Sequence, residues 1–263
     1  MHLSASSPVV LTIAGSDSGG GAGLQADLRT FTQLGVKGAT VVTCLTAQNQ
    51  NAVTRLAPTS PAMVRAQLEA VFAVNPPAAI KTGMLYSAAI INEVVKFLAQ
   101  RPSLPLVVDP VMISTSGRRL LRTAAVNILQ QKLLPLATLV TPNRAEAEVL
   151  LGRSIRTPEQ LRAAAREINR ICGCAALVKG GHLPGTAASL DILFDGKEEW
   201  LFSAPRLRGV RLHGTGCAYA AAIAAGLGRG RTLVRAVEGA KQFITQVIYE
   251  SRHIRTVLAR VSG

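Results

Sequence analysis

The sequence predicts a doubly wound, mostly parallel α/β fold, with one central sheet flanked by helices, on three observations. Short β-branched runs alternate with segments of helical periodicity along the chain. Glycine-rich and polar stretches fall just after the apolar runs, where open α/β sheets bind ligands. The 263 residues are 48% hydrophobic and 17% charged, which suits a large core and excludes a disordered chain. No linker, low-complexity segment or repeat of roughly 20–50 residues interrupts the pattern, so residues 1–263 are read as one domain.

Val9 to Ala14 is a β-branched run ending at Gly15, which reads as a buried strand. The loop Gly15-Ser16-Asp17-Ser18-Gly19-Gly20-Gly21-Ala22-Gly23 follows, then Leu24, Leu28, Phe31 and Leu34 at helical spacing. Strand, glycine loop and helix form the layout of a ligand-binding βα unit, and glycines let backbone approach a small ligand closely. The spacing matches neither G-x-x-x-x-G-K-[ST] nor G-x-G-x-x-G, so no P-loop or dinucleotide site is expected. Asp27, one turn into the helix, reads either as an acceptor for a substrate hydroxyl or as a surface helix acid. Gly38 to Ala47 is the next strand, running into Gln48-Asn49-Gln50-Asn51. Side-chain amides offer a donor and an acceptor, which suits a heterocycle with ring nitrogen and amino group; ordinary turn residues look the same.

Pro61 to Phe72 is helical, and Ala78 to Thr82 is a strand closing on Gly83-Met84-Leu85. After a helix over Ala88 to Leu98, the strand Leu104 to Val108 ends in Asp109-Pro110-Val111-Met112. Asp109 is a candidate for phosphate-bound magnesium, or caps the following turn. A helix over Ala124 to Leu134 and a strand over Leu136 to Val140 lead to Thr141-Pro142-Asn143-Arg144-Ala145-Glu146. Asn143 and Glu146 form a capping-box pattern, with which a metal role for Glu146 is compatible. Pro158 to Ile171 is helical, and the strand Ala175 to Val178 ends in Lys179-Gly180-Gly181-His182. A hairpin is expected over 189–195 and 198–203 around Asp195-Gly196, then helices over about 215–227 and 232–249.

His213-Gly214-Thr215-Gly216-Cys217 leads into the last apolar helix but one. Such a junction presents unpaired N–H groups and a positive dipole end to an anion, and a thiol in the first turn is stabilised as thiolate. By itself the pentapeptide favours a plain turn before a core helix, since glycine-rich helix starts are common. Its position after loops 15–23, 48–51, 83–85, 109–112, 143–146 and 179–182, all at strand ends, argues for one shared site.

The net charge is +14, and residues 206–263 alone hold ten Arg and Lys against Glu238 and Glu250. Aromatics are only 4% and do not interleave with the basic residues, so solvated basic faces and an anionic substrate are expected rather than specific nucleic-acid binding. Cys44, Cys172, Cys174 and Cys217 lack paired metal-ligand spacing, so neither zinc nor a disulfide framework is expected. Leu3 to Ala14 does not read as a signal peptide, and Cys217 to Gly228 is too short to span a bilayer. A soluble cytoplasmic protein is the expectation.

Taken together, Ala14 to Gly23 with Gln25-Ala26-Asp27, Ala47-Gln48-Asn49, Lys81-Thr82-Gly83-Met84, Asp109-Pro110-Val111-Met112, Thr141-Pro142-Asn143 with Glu146, Lys179-Gly180-Gly181-His182 and His213 to Cys217 resemble the hydroxymethylpyrimidine/phosphomethylpyrimidine kinases. The resemblance spans roughly residues 8–250 in order. It implies a ribokinase-like three-layer αβα fold, a homodimer, and ATP with Mg²⁺ in thiamine biosynthesis. It also implies two phosphorylations, of 4-amino-5-hydroxymethyl-2-methylpyrimidine and then of its monophosphate.

By that resemblance Gln48 binds the aminopyrimidine edge, while Gly15, Asp27, Met84 and Val111 line the pocket, with Asp27 near the hydroxymethyl group. Asp109 and Glu146 organise Mg²⁺, Lys179 contacts the nucleotide phosphates, and Gly214, Thr215 and Gly216 with Cys217 form the anion hole. Cys217 stands where ribokinase relatives usually carry a catalytic Asp. The alternatives are a pyridoxal kinase of the same superfamily and a catalytically silent vitamin- or nucleic-acid-binding regulator. A fusion with thiamine-phosphate synthase is not expected at this length.

Overall fold

The computed structural model describes residues 7–261, apart from 50, 114–119, 122, 182, 184, 185, 187 and 207–212. Along β1 (Val9–Asp17) successive side chains point to opposite faces of a sheet, and the two faces bury different helices. Leu11 and Ile13 pack with α2 (Pro61–Val74), α3 (Ala88–Leu98), α4 (Thr123–Ile128), α5 (Arg144–Leu151) and α6 (Pro158–Cys172). Val10 packs with α1 (Gly23–Gln33), α7 (Thr215–Gly228) and α8 (Leu233–Val261). The split recurs in β5 (Leu106–Val108), where Leu106 and Val108 face the first layer and Val107 the second. It recurs again in β7 (Ala175–Lys179), with Ala176 and Val178 on one side and Ala175 and Leu177 on the other. Period-two alternation between two apolar layers is what the β-branched runs encode, and it builds the three-layer αβα arrangement.

The remaining strands are β2 (Lys37–Gln48), β3 (Val53–Pro58), β4 (Ala79–Thr82), β6 (Leu139–Val140), β8 (Ala188–Phe194) and β9 (Glu199–Pro205). Their order in the sheet is β3-β2-β1-β4-β5-β6-β7-β8-β9. Pairing is parallel from β2 through β7 and antiparallel at both edges. β1 lies between β2 and β4, so the winding reverses there and opens a crevice outside the carboxyl ends of the strands.

Several elements differ from the sequence reading. The chain does not alternate strand and helix throughout, because β2 and β3 form an antiparallel hairpin. The Asn49 side chain makes its turn, accepting from the Asn51 and Ala52 N–H groups at 2.9 and 3.0 Å. Part of the amide cluster is therefore turn chemistry, and Gln50 lies outside the described residues. β3 escaped the reading because only Val53 of its six residues is buried, which leaves no apolar alternation. The helix expected over Ala124 to Leu134 is α4 followed by a π turn (Leu129–Leu133) and a 3₁₀ turn (Leu134–Leu136) containing Pro135. β5 and β6 are shorter than expected, and α8 continues to Val261 rather than ending near 249. Among the described residues no helix is long and apolar enough to cross a membrane.

Candidate active site

The strand ladder continues one residue beyond the central strands, and this brings the loops into line. The Gly83 N–H donates to the Ile13 carbonyl, Asp109 to Thr82, Thr141 to Val108 and Lys179 to Pro142, each at 2.9 Å. The side chains that follow are thereby presented along one sheet edge.

At one end of the crevice the Lys179 Nζ lies 3.1 Å from Asp109 Oδ1, which also accepts from the Thr141 hydroxyl at 3.3 Å. Glu146 joins them through its capping box: the Asn143 N–H donates to Glu146 Oε2 at 2.9 Å, and the Glu146 N–H to Asn143 Oδ1 at 3.0 Å. Burial, then the Asp109 charge, pushes the Glu146 carboxyl up to about 8, although Lys179 pulls it down. Burial works against the Lys179 ammonium, yet Asp109 and then Glu146 hold it above the usual lysine value.

Two helix N-termini converge on the same place. The N-cap residue of α1 is Ala22 and that of α7 is Gly214, neither helix having a side-chain cap or an acid in its first turn. Their first-turn N–H groups and dipoles together favour an anion. Gly214 has φ 82°, and a Cβ there would collide with the Gly21 carbonyl, so only glycine allows the two loops to meet. A Cβ on Gly216 would stand 3.5 Å from Lys179 Nζ, which places that ammonium beside the start of α7. Gly214, Thr215, Gly216, Cys217, Lys179, Asp109 and Glu146 therefore form one cluster.

Cys217 corrects one expectation. The start of α7 does not yield a depressed thiol: burial pushes Cys217 up to about 11, opposed first by Lys81 and reinforced by Asp109 and Asp27. The Gly23 N–H donates to it, and part of the residue remains accessible.

Asp27 corrects another. It has no exposed surface, and its Oδ2 accepts from the Thr12 hydroxyl at 2.6 Å and from Lys81 Nζ at 2.8 Å. It is not a surface helix acid: Oδ2 is engaged inside the protein, while Oδ1 is buried and makes no hydrogen bond among the described residues. Lys81 is equally buried; burial opposes its charge, but Asp27 holds it above the usual lysine value. Burial raises Asp27 in turn, against the pull of Lys81.

The other end of the crevice is apolar. Cys44, Met84 and Leu120 form a small cluster packed by Leu56, Tyr86 and Val111, separate from both main cores. A Cβ on Gly15 would collide with Met84 Cε, so Gly15, Met84 and Val111 do come together. Gln48 stands at the rim, its Nε2 2.8 Å from His213 Nε2, which is 3.3 Å from Asp17 Oδ2. Asp17 also organises the glycine loop, accepting from the Gly19 N–H at 2.9 Å and the Ala22 N–H at 2.8 Å. His182 lies outside the described residues.

Sequence reasoning passed over Lys81, Thr12, Asp17 and Cys44 as functional groups. Lys81 left a signal, a lone lysine within a buried strand, which requires a paired anion. Asp17 and Cys44 left none, since one resembles a turn residue and the other a core residue.

The profile of the phosphomethylpyrimidine kinase family matches residues 17–261. The chain belongs to that family. It is 44% identical to the hydroxymethylpyrimidine/phosphomethylpyrimidine kinase of Synechococcus elongatus, over 93% of this chain and 92% of that protein. It is 48% identical to the thiamine biosynthesis bifunctional protein ThiED of Geobacter sulfurreducens over 91% of its length, but spans only 49% of that relative. Among solved structures, phosphomethylpyrimidine kinase from Clostridium difficile superposes with a TM-score of 0.81 at 39% identity, covering 92% of this chain and 99% of the other. An ADP complex of Bacillus subtilis pyridoxal kinase superposes with a TM-score of 0.84 at 34% identity, covering 91% of each. The ribokinase-like fold is thus common to this kinase and its neighbours.

Proposed function

We propose that the protein is a single-domain, ATP-dependent kinase acting on 4-amino-5-hydroxymethyl-2-methylpyrimidine and then on its monophosphate, in thiamine biosynthesis. The observation that carries this reading is the convergence of two uncapped helix N-termini and Lys179 on Gly214 to Cys217, opposite Asp109 and Glu146. Loose phosphoryl transfer requires little covalent help; it needs in-line positioning and neutralisation of the oxygens in flight. Gly214 to Gly216 and Lys179 supply that neutralisation. The apolar end, with Gly15, Met84 and Val111, holds the pyrimidine face, and the Gln48 amide addresses its ring nitrogen and amino group. Cys217, between the two ends, receives the proton of the hydroxymethyl group as its oxygen bonds to phosphorus and the ADP oxygen departs. A thiol near 11 makes a sparse base, so most of the rate enhancement falls to the anion hole.

The donor set fits magnesium. Among the described residues no three His, Cys, Asp or Glu side chains gather into a metal cage. Two adjacent carboxylates, with Glu146 kept protonated first by burial and then by the Asp109 charge, match an ion held by one or two carboxylates plus substrate phosphates. Asp109 and Glu146 would hold it, and it would neutralise nucleotide phosphate charge. A homodimer and a cytoplasmic location complete the reading on the family resemblance, and light scattering tests the former.

Incubation with hydroxymethylpyrimidine, ATP and Mg²⁺, resolving mono- from diphosphate, tests the function: both products are expected in succession, and no phosphorylated pyrimidine would overturn it. A second reading, pyridoxal kinase activity, has support from the 0.84 TM-score to a pyridoxal kinase. Higher kcat/KM for pyridoxal than for the pyrimidine would establish it.

A further inference from the structure

Outside the crevice the protein buries a second lysine–aspartate pair, which the proposed chemistry does not use. Lys241 of α8 and Asp191 of β8 are 7% and 2% exposed, with Nζ 2.7 Å from Oδ2. The other two ammonium protons are satisfied as well, by the Ser189 carbonyl at 3.2 Å and hydroxyl at 3.1 Å. Asp191 Oδ1 turns the other way and accepts from the Gly180 N–H at 3.2 Å. Such a pair is a poor source of net stability, because apolar residues of similar volume do as well. Its geometry is more informative.

Asp191 sits directly opposite Lys179 in the β7–β8 register, and Gly180 is the next residue in the chain. The Gly180 N–H is shared between Asp191 and the Leu190 carbonyl, the latter at 2.8 Å. A Cβ on Gly180 would stand 2.6 Å from that carbonyl, so the turn is pressed against β8. From above, Tyr219 reaches the pair from α7, two residues after Cys217. Its hydroxyl is buried beside Asp191: burial, then the Asp191 charge and hydrogen bonding to Asp191, raise it well above the usual tyrosine value. The pair thus touches both elements that form the phosphate end: the strand end bearing Lys179 and the helix bearing Cys217.

We infer that the Asp191–Lys241 pair is a positioning device for phosphoryl transfer, fixing the Lys179–Gly180 turn so that the Lys179 ammonium stays aimed at the start of α7. The inference rests on the reading of Lys179 as a phosphate contact. Lys241 anchors Asp191 from α8, and Asp191 converts that anchor into a fixed backbone at Gly180. A lysine with four rotatable bonds gains its precision from the backbone that carries it. Displacement of about 1 Å at such a group costs on the order of 100-fold in rate.

The test uses the full chain with ATP, Mg²⁺ and hydroxymethylpyrimidine, comparing Asp191→Asn, Lys241→Met, Lys241→Arg and Lys179→Ala. Asp191→Asn and Lys241→Met are each expected to lower kcat about 10- to 100-fold and to raise KM for ATP, leaving KM for the pyrimidine unchanged. Lys241→Arg is expected to keep most of the rate. In a Lys179→Ala background, Asp191→Asn is expected to have little further effect on kcat, because it acts through Lys179. Lower melting temperature with unchanged kcat per folded molecule, or full additivity with Lys179→Ala, would overturn the inference. If the buried variants do not fold, Ser189→Ala, which removes one acceptor from Lys241 and keeps the ion pair, decides by the same split on a smaller scale. Unchanged kinetics in Lys179→Ala would sink the phosphate reading of Lys179 and this inference with it. A collapse in Lys179→Ala beside normal Asp191→Asn and Lys241→Met would sink this inference alone.

Discussion

At the phosphate end of the crevice Lys179, Asp109 and Glu146 are held by directional bonds, whereas at the acceptor end Gly15, Met84, Val111 and Cys44 meet through apolar contact. The first end is buried charge on strand-end backbone, and each of its groups has a partner that fixes it. The second is a small apolar patch set apart from both main cores, with one amide at its rim. The difference separates two tasks. Preorganised charge lowers the barrier to transfer and tolerates no displacement. An apolar wall with one polar handle selects the acceptor and leaves the chemical step largely alone. Substitutions at the first end should fall on kcat, and those at the second on KM for the acceptor.

The largest expected break comes at the junction of the two ends. Cys217→Ala should lower kcat about 10²–10⁴-fold, the range for general acid–base work, with a small change in acceptor KM. Near-normal turnover by the purified variant would remove Cys217 from the mechanism. The pH profile sharpens the point. Since burial places the thiol near 11, kcat/KM should climb with pH above neutrality, tracking the thiolate fraction. In Cys217→Asp the part of that climb due to the thiol should vanish.

Next in size is the anion hole itself. Gly214→Ala puts a side chain where φ is 82° and the Gly21 carbonyl is in contact, so α1 and α7 must part. A loss of about 10²–10³ in kcat is expected, as for removal of an oxyanion donor. Stopped or steady-state assays at saturating pyrimidine would read it, and a defect confined to acceptor KM would contradict the division of the crevice. At the other end, Gln48→Leu should raise acceptor KM about tenfold with kcat nearly intact, the cost of one hydrogen bond to a bound ring. A kcat effect there would mean that Gln48, through His213 and Asp17, shapes the glycine loop rather than the acceptor.

The same comparison explains how far the sequence could be read. The three-layer fold was legible because Leu11, Ile13 and Val10 alternate strictly and the helix faces are apolar. The loops bearing Asp109, Glu146 and Lys179 were legible because they follow such strands, and the Asn143–Glu146 capping box appears as expected. What failed were properties of three-dimensional surroundings. A thiol in the first turn of a helix reads as acidic until burial and two neighbouring carboxylates outweigh the dipole. Asp27 reads as either a substrate acceptor or a surface acid until Lys81, 54 residues away, is found beside it and excludes the second. The edge strand β3 carries no apolar alternation, because only Val53 of its six residues is buried.

The smallest expected effect concerns stability at the phosphate end. A buried carboxyl near 8, against 4.5 for an ordinary glutamate, means that the folded protein binds more protons than the unfolded chain between those values. Stability should therefore fall as pH rises through that window, and calorimetry from about pH 5 to about pH 9 without added metal should show a declining melting temperature. Glu146→Gln should flatten the decline, because the amide has no proton to lose, while its ability to support Mg²⁺-dependent turnover falls. Gln48→Leu, at the apolar end, should leave the slope untouched. A melting temperature that rises with pH in the wild-type protein would mean that Lys179 outweighs burial and keeps Glu146 ionised, so the two carboxylates would already be neutralised by the protein itself.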